Sequence, residues 1–331
     1  MPSHVVLVGP HDFFFDPVAA ALRAQGDTST RYSSIDAFAR RADALDGADV
    51  LYAVGYLPVT RERLAHTGKL RAVISPWTGT DGFDEAAATD LGIIVGNGQV
   101  PENAESMAEA TIMMVLSCLY DFNESQRRLR ANLPNPADLT ARMLKGKTLG
   151  FIGYGGIAKE MTARLSGWGV RLQAHTPRPP QAYPGVSFVG LDEVLATSDV
   201  ICVLAPLNAG TRNLLNAQRL AATKSGAILV VTSRGGIVDE AALHDLTQRG
   251  HFSAVALDVF ETEPLPADSP LRGLDKAVLT PHCVGLTRES RVRLIETGVT
   301  NVLRVLAGEA PLYVRNPAIL DAWRRRWSRQ A

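Results

Sequence analysis

The amino-acid sequence predicts an α/β protein built from two doubly wound units of similar kind. Short apolar runs alternate with stretches of helical periodicity, and this alternation begins anew near Lys147. Short strands that alternate with helices are typical of parallel sheets made of βαβ units. The length of 331 residues exceeds what one ordinary core accommodates and fits two domains.

The apolar runs of the first half predict four strands separated by helices. Asp16–Gln25 and Ile35–Arg41 show helical spacing of apolar residues, and Pro101–Leu119 predicts a long helix with a proline at its first position. The polar stretch Arg127–Lys145 contains two prolines, so we expect it to lie outside the main cores. The predicted strands are Val5–Val8, Val50–Val54, Ala72–Ser75 and Ile93–Val95.

The second alternation predicts further strands in the same way. Ile157–Trp168 and Glu289–Leu306 show helical spacing and follow the first and the last of these strands. Proline or glycine punctuates the exits of several strands, which is typical of the loops that leave a sheet. The predicted strands are Thr148–Ile152, Val170–His175, Val200–Leu204, Ala227–Val231, Ala254–Asp258 and Ala277–Leu279.

Composition and charge exclude several kinds of partner. The chain has 34 basic and 34 acidic residues, so we expect no general attraction to nucleic acid or to anionic membranes. No uncharged apolar stretch reaches the roughly 18 residues of a spanning helix. The widely separated Cys118, Cys202 and Cys283 predict neither disulfides nor a metal site. Because the N-terminus lacks the features of a secretory signal, we expect a cytoplasmic protein.

A glycine-rich loop, Gly153-Tyr154-Gly155-Gly156-Ile157-Ala158, follows the first strand of the second alternation and opens a helix. In this context the first glycine permits a tight turn, the second lets a pyrophosphate approach the backbone, and the small last residue lets helix pack on strand. The helix N-terminus adds partial positive charge. The alternative is a glycine-rich turn that binds no ligand. The residues predicted to bind a dinucleotide are Gly153, Tyr154, Gly155, Gly156 and Ile157.

The strand after this loop ends in Thr176-Pro177-Arg178 and carries no acid. In dinucleotide sites an acid about 20 residues beyond the loop holds the adenosine ribose. A carboxylate there would repel a 2′-phosphate, whereas the hydroxyl of Thr176 and the guanidinium of Arg178 would bind one. We therefore predict NADP(H) over NAD(H), with both residues in the cofactor site. The alternative is that Arg178 is a solvated residue beside two prolines.

Three polar residues, Arg234, Glu263 and His282, each follow an apolar strand of the second half. Open α/β sheets bind ligands outside the carboxyl ends of their strands, so we expect these side chains to gather there. A guanidinium holds a carboxylate in a two-point fork, an imidazole donates a proton near neutral pH, and a carboxylate beside it favours its protonated form. The set suits hydride transfer to a 2-keto acid, although each residue alone is compatible with a structural role.

Several motifs stand in the chain in a fixed order between about Leu70 and Gly308. They are Gly79–Asp84, Asn103–Glu109, the Gly153 loop, Pro206-Leu207, Ser233-Arg234-Gly235, Asp258–Pro264 and Pro281-His282. Together they resemble the D-isomer-specific 2-hydroxyacid dehydrogenase family, which includes 3-phosphoglycerate dehydrogenases and glyoxylate/hydroxypyruvate reductases.

The resemblance implies roles for individual residues. Arg234 would orient the substrate, Glu263 would pair with the histidine, and His282 would act as the acid and base. Asp258 would lie near the nicotinamide carboxamide. Beyond the glycine loop, the residues expected to contact the cofactor are Pro206, Thr211, Ser233, Asp258 and His282. The residues expected to bind the substrate are Trp77, Thr78, Gly79, Arg234 and His282.

The resemblance also implies a discontinuous architecture. Residues 1–100 and 287–331 would form a flavodoxin-like substrate domain, and residues 101–286 a Rossmann cofactor domain. The active site would lie in a cleft between these two Rossmann-like, doubly wound domains, and closure would exclude water. Because members of the family are commonly homodimers built through the cofactor domain, we expect a homodimer.

The sequence therefore predicts an NAD(P)-dependent oxidoreductase that moves a hydride between nicotinamide and C2 of a small 2-hydroxy or 2-keto acid. NADPH-linked reduction is the expected direction. One alternative within the same fold is oxidation of formate or phosphite. A second alternative, from a different class, is a dinucleotide-sensing interaction protein without significant turnover. A panel of 2-keto acids separates these predictions, because a sensor binds the cofactor but reduces none of them.

Two further features of the sequence have two readings each. The aromatic residues of His11–Phe15, with Tyr52, Tyr56 and Trp77, form either a wall of the substrate pocket or part of the core. The basic stretch Trp323–Arg329 has two tryptophans on one helix face. We expect it to dock on the protein's own surface or on a partner subunit rather than on nucleic acid.

Overall fold

The computed structural model describes residues 2–138 and 140–327 and divides the chain into two compact units. Unit 1 combines Met1–Glu102 with Thr287–Ala331, and unit 2 is Asn103–Leu286. Each unit has one parallel sheet and its own apolar core. Among the described residues, none of the helices combines the length and the apolar character that crossing a membrane requires.

The sheet of unit 1 has five parallel strands in the order β2-β1-β3-β4-β5. This is the flavodoxin-like order, which changes direction between β1 and β3, and it confirms the predicted fold class of this unit. The polar edge strand β2 was not predicted, because its residues are exposed or half-buried and lack an apolar run. The strands are β1 His4–Val8, β2 Thr28–Tyr32, β3 Val50–Ala53, β4 Ala72–Ile74 and β5 Ile94–Gly96.

Helices cover the sheet of unit 1, and α11 is the longest of them. A capping box between Thr287 and Ser290 begins α11, which packs against α1. In α12 the buried Trp323 donates its indole N–H to the Arg71 carbonyl at 2.8 Å, so this part of the basic stretch lies on unit 1 itself. Ser328 and Arg329 lie outside the described residues. The helices are α1 Asp12–Ala24, α2 Ile35–Ala39, α3 Arg61–Ala65, α4 Glu85–Asp90, α11 Arg288–Leu306 and α12 Leu320–Trp327.

Helix α1 begins at Asp12, four residues before the predicted start. The added first turn contributes Phe14 and Phe15 to the buried face of α1. These two rings and Tyr52 have no exposed surface, so the prediction that they line a pocket is wrong and the core reading is correct. Of this aromatic set, Phe13 and Tyr56 remain exposed, at 42% and 54%.

The sheet of unit 2 has seven parallel strands in the order β12-β11-β10-β9-β6-β7-β8. This is the Rossmann order with one strand added beyond the sixth, which confirms the predicted fold class of this unit. The three-residue edge strand β8 was not predicted, since its residues are only partly buried. The strands are β6 Thr148–Ile152, β7 Arg171–His175, β8 Val186–Phe188, β9 Val200–Val203, β10 Ala227–Val231, β11 Phe252–Leu257 and β12 Ala277–Leu279.

The helices of unit 2 connect these strands on both faces of the sheet. Helix α5 spans Pro101–Leu119, the bounds that the sequence predicts. Helix α6 was not predicted, and none of its residues is buried. Further along, Leu144 is buried in the core of unit 2, so the expectation that all of Arg127–Lys145 lies outside the cores is wrong at that end. The remaining bounds are α6 Phe122–Arg130, α7 Gly156–Arg164, α8 Leu191–Thr197, α9 Ala217–Ala221 and α10 Glu240–Gln248, with a 3₁₀ helix at Pro270–Gly273.

Candidate active site

The turn between β6 and α7 requires glycine at Gly153 and leaves space beside Gly155. Gly153 has φ +93°, and a Cβ there would lie 2.7 Å from the backbone of Ala205. Its N–H donates to the His175 carbonyl at 2.8 Å, which ties the turn to the end of β7. At Gly155 φ is −103°, and nothing in the described chain lies within 4 Å of an added Cβ. The open space permits a ligand to approach the backbone closely.

The N-terminus of α7 favours a negatively charged ligand. Gly155 is the N-cap, which has no side chain to cap the helix, and the first turn, all of it described, holds no acid. The first N–H groups of a helix are unpaired within it and carry partial positive charge. The ring of Tyr154 packs 5.1 Å from that of Phe188, and its hydroxyl lies 3.1 Å from the Thr162 hydroxyl. Tyr154 therefore offers a ligand its backbone rather than its ring.

The end of β7 carries the two residues on which the cofactor prediction depends. Thr176 is half-buried and Arg178 is exposed. No other described side chain or backbone group pairs with Arg178. A guanidinium without an acidic partner can bind a phosphate group.

Glu263 and His282 form a hydrogen-bonded pair at the carboxyl ends of β11 and β12. Glu263 Oε2 and His282 Nδ1 lie 2.7 Å apart. The other carboxylate oxygen accepts the Phe260 N–H at 3.0 Å, which fixes the orientation of the carboxylate. His282 adopts φ +53°, and its N–H donates to the Asp258 carbonyl at 2.8 Å. We assign a proton to Nδ1 because that atom faces a carboxylate, which leaves Nε2 for exchange with a substrate.

The surroundings of Glu263 keep it ionised. Burial alone would raise the pKa of its carboxyl. The hydrogen bonds from His282 and the Phe260 N–H, and the positive charges of His282 and Arg234, outweigh burial and lower the pKa below its ordinary value. A carboxylate that is charged at neutral pH stabilises the positive charge of a protonated imidazole.

Arg234 reaches the same edge of the sheet from the end of β10. It is half-buried, and its charge acts on Glu263. Its Nη1 donates to the Ser233 carbonyl at 2.7 Å. The loop after β10 lies very close to the loop after β11. A Cβ on Gly235 would lie 1.8 Å from the Phe260 carbonyl oxygen, so only glycine permits the two loops to come this close. The structure thus gathers the three predicted catalytic side chains at one edge of unit 2.

Asp258 is a buried carboxyl at the end of β11, 1% exposed. Its Oδ1 accepts the Thr280 hydroxyl at 2.7 Å and the N–H groups of Cys283 and Val284 at 3.0 and 3.2 Å. Burial raises the pKa of Asp258, although these hydrogen bonds and the His282 charge act in the opposite direction. The carboxyl therefore organises the turn that presents His282.

The other residues predicted to contact a cofactor differ in whether they have a free polar group for it. The hydroxyl of Ser233 is buried and has no hydrogen-bond partner in the described chain, so it can receive a polar ligand group. Thr211 uses its hydroxyl within its own loop, where it donates to the Pro206 carbonyl at 2.6 Å and accepts the Asn208 N–H at 2.8 Å. Thr211 and Pro206 thus shape that loop. The turn at Gly153, the helix N-terminus and the Ser233 hydroxyl fit a dinucleotide.

The predicted substrate residues Trp77, Thr78 and Gly79 lie in unit 1, after β4. The ring of Trp77 packs 4.4 Å from that of Phe14 at the edge of the core. Thr78 is exposed, and the N–H of Gly79 has no acceptor among the described residues. An unpaired backbone N–H on a surface loop can bind a carboxylate.

Two residues that sequence analysis missed hold these loops in place. The amide of the buried Asn97 donates to the Thr78 carbonyl at 2.7 Å and so braces the loop after β4. Thr280, whose hydroxyl donates to Asp258, directly precedes the Pro281-His282 motif. A polar residue directly after an apolar run was the only signal for either one.

Comparison with known proteins identifies the family. Residues 112–284, more than half of the chain, match the model described as the NAD binding domain of D-isomer specific 2-hydroxyacid dehydrogenase. The chain is 34% identical over 306 residues to (S)-sulfolactate dehydrogenase of Chromohalobacter salexigens, covering 90% of this chain and 97% of that one. A crystal structure of a glyoxylate reductase from Paecilomyes thermophila superposes with a TM-score of 0.85 at 26% identity, over 96% of this chain and 100% of that chain.

The chain belongs to the D-isomer specific 2-hydroxyacid dehydrogenase family, which confirms the family predicted from its motifs. It is also 36% identical over 269 residues to D-3-phosphoglycerate dehydrogenase of Mycobacterium leprae. That match covers 80% of this chain but 51% of the relative, so the chain spans about half the length of that protein.

The contrast between two glycines of the loop yields a prediction. We expect Gly155→Ala to fold normally but to weaken dinucleotide binding by at least ~1 kcal/mol, because overfilling a close contact costs about 1–3 kcal/mol. We expect Gly153→Ala to destabilise unit 2 itself by about 1–3 kcal/mol, because its φ is positive and its neighbours are backbone atoms. Calorimetric titration with NADPH and NADH, together with urea unfolding, measures both effects.

Gly190→Ala is the matched control for this pair. Gly190 is the N-cap of α8, and nothing described lies within 4 Å of an added Cβ there. Its substitution should leave the affinity unchanged and cost at most about 1 kcal/mol of stability, the usual effect of alanine at an N-cap. Binding by Gly155→Ala as tight as that of the wild type would remove the loop from the cofactor site.

Proposed function

We propose that this protein is an NAD(P)-dependent dehydrogenase that transfers a hydride between nicotinamide and C2 of a small 2-hydroxy or 2-keto acid. The observation that carries the proposal is the 2.7 Å hydrogen bond between Glu263 and His282, with Arg234 at the same edge of the sheet. Relatives named for phosphoglycerate, sulfolactate and glyoxylate support a small organic acid as the substrate.

The proposed chemistry assigns each group one task. A bound nicotinamide supplies or accepts the hydride at C2 of the acid. Arg234 binds the substrate carboxylate through paired N–H groups and so orients the neighbouring carbonyl. In the direction of reduction, His282 Nε2 donates a proton to the carbonyl oxygen, which becomes the hydroxyl. Glu263 stabilises the imidazolium before that transfer and holds the ring by its Nδ1–H.

The remaining residues of the proposed site bind and orient. Residues Gly153 to Ile157, with Thr176 and Arg178, would hold the phosphates and the adenosine. Asp258 would position the nicotinamide carboxamide, and the Ser233 hydroxyl would pair with a polar group of the cofactor. In unit 1, the N–H groups around Thr78 and Gly79 would bind a carboxylate, and Trp77 would flank it.

The roles of His282 and Arg234 are tested by substitution. We expect His282→Ala to lower kcat about 10²–10⁴-fold, the usual range for loss of a general acid, while the cofactor still binds. We expect Arg234→Ala to lower kcat/KM about a hundredfold or more, and Arg234→Lys to recover only part of it, because lysine lacks the planar fork. Steady-state kinetics on a panel of 2-keto acids, with cofactor fluorescence titration, measures both.

His244→Ala provides the control, since His244 lies on α10 and pairs with Asp245. An Arg234 variant with wild-type kcat/KM would exclude this residue from substrate binding. The same panel separates the alternatives. Turnover of formate or phosphite but of no 2-keto acid would indicate the oxidative reaction. Tight cofactor binding without turnover of any substrate would indicate a dinucleotide sensor.

NADPH is the proposed physiological cofactor, since the exit of β7 carries Thr176 and Arg178 instead of an acid. We expect Arg178→Ala to raise the KM for NADPH about tenfold or more and to leave the KM for NADH nearly unchanged, because only the former carries a 2′-phosphate. Arg171→Ala is the control, since this exposed arginine begins the same strand at its opposite end. A wild-type kcat/KM with NADH that equals or exceeds that with NADPH would contradict the preference.

A homodimer built through unit 2 is the proposed assembly. Large apolar side chains are exposed on and beside α5 and α6, among them Leu129 at 82% and Met143 at 64%. Exposed apolar surface of this kind marks protein contacts. The other exposed members of this group are Met113, Tyr120, Phe122 and Leu133. We place the protein in the cytoplasm, in agreement with its three free cysteines.

We expect the wild type to sediment at twice its 35.6 kDa chain mass. Leu129→Glu should shift it toward the monomer, because a charge in an apolar contact is costly to desolvate. Leu312→Glu, which alters an exposed leucine of unit 1, should leave the dimer intact. Analytical ultracentrifugation measures all three, and a monomeric wild type would contradict the assembly.

A further inference from the structure

A partly buried carboxylate outside the proposed catalytic set, Glu240, contacts the loop that carries Glu263. Glu240 is the first residue of α10, and Asp239 caps that helix by accepting the Ala242 N–H at 2.9 Å. Glu240 Oε1 accepts the backbone N–H of Glu261 at 2.5 Å. The loop after β11 is therefore tied to the start of a capped helix.

Two backbone N–H groups of the same loop are also paired. The Asp258 N–H donates to the Val231 carbonyl at 3.0 Å, and the Phe260 N–H donates to Glu263 itself at 3.0 Å. Of these three N–H groups, that of Glu261 is the one bound by a side chain from outside the loop, at the start of α10. Glu261 stands two residues before Glu263, so loss of the bond to Glu240 would shift the backbone that carries the Glu263 carboxylate.

The position of Glu240 is electrostatically unfavourable for a carboxylate. Burial raises the pKa of Glu240, and the charges of Glu261 and Glu263 act in the same direction, whereas the Glu261 N–H lowers it. A helix N-terminus offsets part of this cost. A residue that only covered the surface would not need an acceptor for the Glu261 N–H. The hydrogen bond to this N–H therefore explains why a glutamate stands at position 240.

We propose that Glu240 is a positioning residue, which fixes the loop through the Glu261 N–H and so holds Glu263 against His282. Its effect on turnover rests on the proposed function, whereas its effect on the Glu263–His282 contact does not. Glu240 touches neither member of that pair by hydrogen bond. Its role is therefore separable from that of the groups proposed to react.

Three substitutions at one position separate the hydrogen bond from the charge. Glu240→Gln keeps an oxygen acceptor without the charge, so we expect kcat close to that of the wild type. Glu240→Ala removes the acceptor, and Glu240→Asp is one methylene too short to reach the loop. We expect both to lower kcat about tenfold or more, because small misplacements in a site are costly. The KM for the cofactor should not change.

The pH profile distinguishes positioning from a general structural role. In Glu240→Ala and Glu240→Asp, the alkaline fall of the reduction rate should move to lower pH, because the protonated imidazole loses part of its carboxylate support. Asp245→Ala is the matched control. It removes an exposed carboxylate of the same helix, paired with His244, and leaves the cap of α10 in place, so it should not move the profile.

Crystal structures of the variants test the contact without any assay. We expect the Glu263–His282 hydrogen bond to persist in Glu240→Gln and to be lengthened or lost in Glu240→Asp and Glu240→Ala. An intact bond in both of the latter would overturn the proposal, as would equal kinetics for the Gln and Ala variants. If Glu240→Ala fails to fold, the comparison of Glu240→Gln with Glu240→Asp decides whether the hydrogen bond to the loop positions Glu263. A wild type that reduces no 2-keto acid would refute the proposed function, while the structures still decide on Glu240.

Discussion

The close approach of the exits of β10 and β11 is the constraint on which the site depends. Gly235 stands so near the Phe260 carbonyl that a side chain at this position would separate the two loops. With the loops in contact, Glu263 turns back to accept the Phe260 N–H and places its second oxygen 2.7 Å from His282. The same approach brings Arg234 close enough to lower the pKa of Glu263. A parallel sheet supplies the common edge, and one glycine permits the contact.

The two carboxyl groups at this edge are tuned in opposite directions. Burial raises the pKa of Asp258, whereas hydrogen bonds and nearby cations lower that of Glu263 despite its burial. Neighbouring acids whose environments shift their pKa values apart serve different tasks. Asp258 organises the backbone that presents His282, and Glu263 supplies the negative charge that a protonated imidazole needs.

The sequence allowed prediction of those features that repeat a simple pattern. Buried parallel strands such as β10 are continuous apolar runs, and polar residues after them must lie at one edge. The edge strands β2 and β8 lack that pattern because their residues are exposed or only half-buried. The contacts of Glu240 and Asn97 were beyond prediction, since each joins two segments that only the folded sheet brings together.

Direct transfer of hydrogen from the cofactor to C2 is the central claim of this account. The most direct test uses NADPH deuterated at C4 of the nicotinamide, a 2-keto acid that the protein turns over, and mass spectrometry with proton NMR of the product. The account predicts one deuterium at C2 of the 2-hydroxy acid, transferred from only one face of the ring. A product without deuterium at C2, or no product from any 2-keto acid with either cofactor, would contradict it.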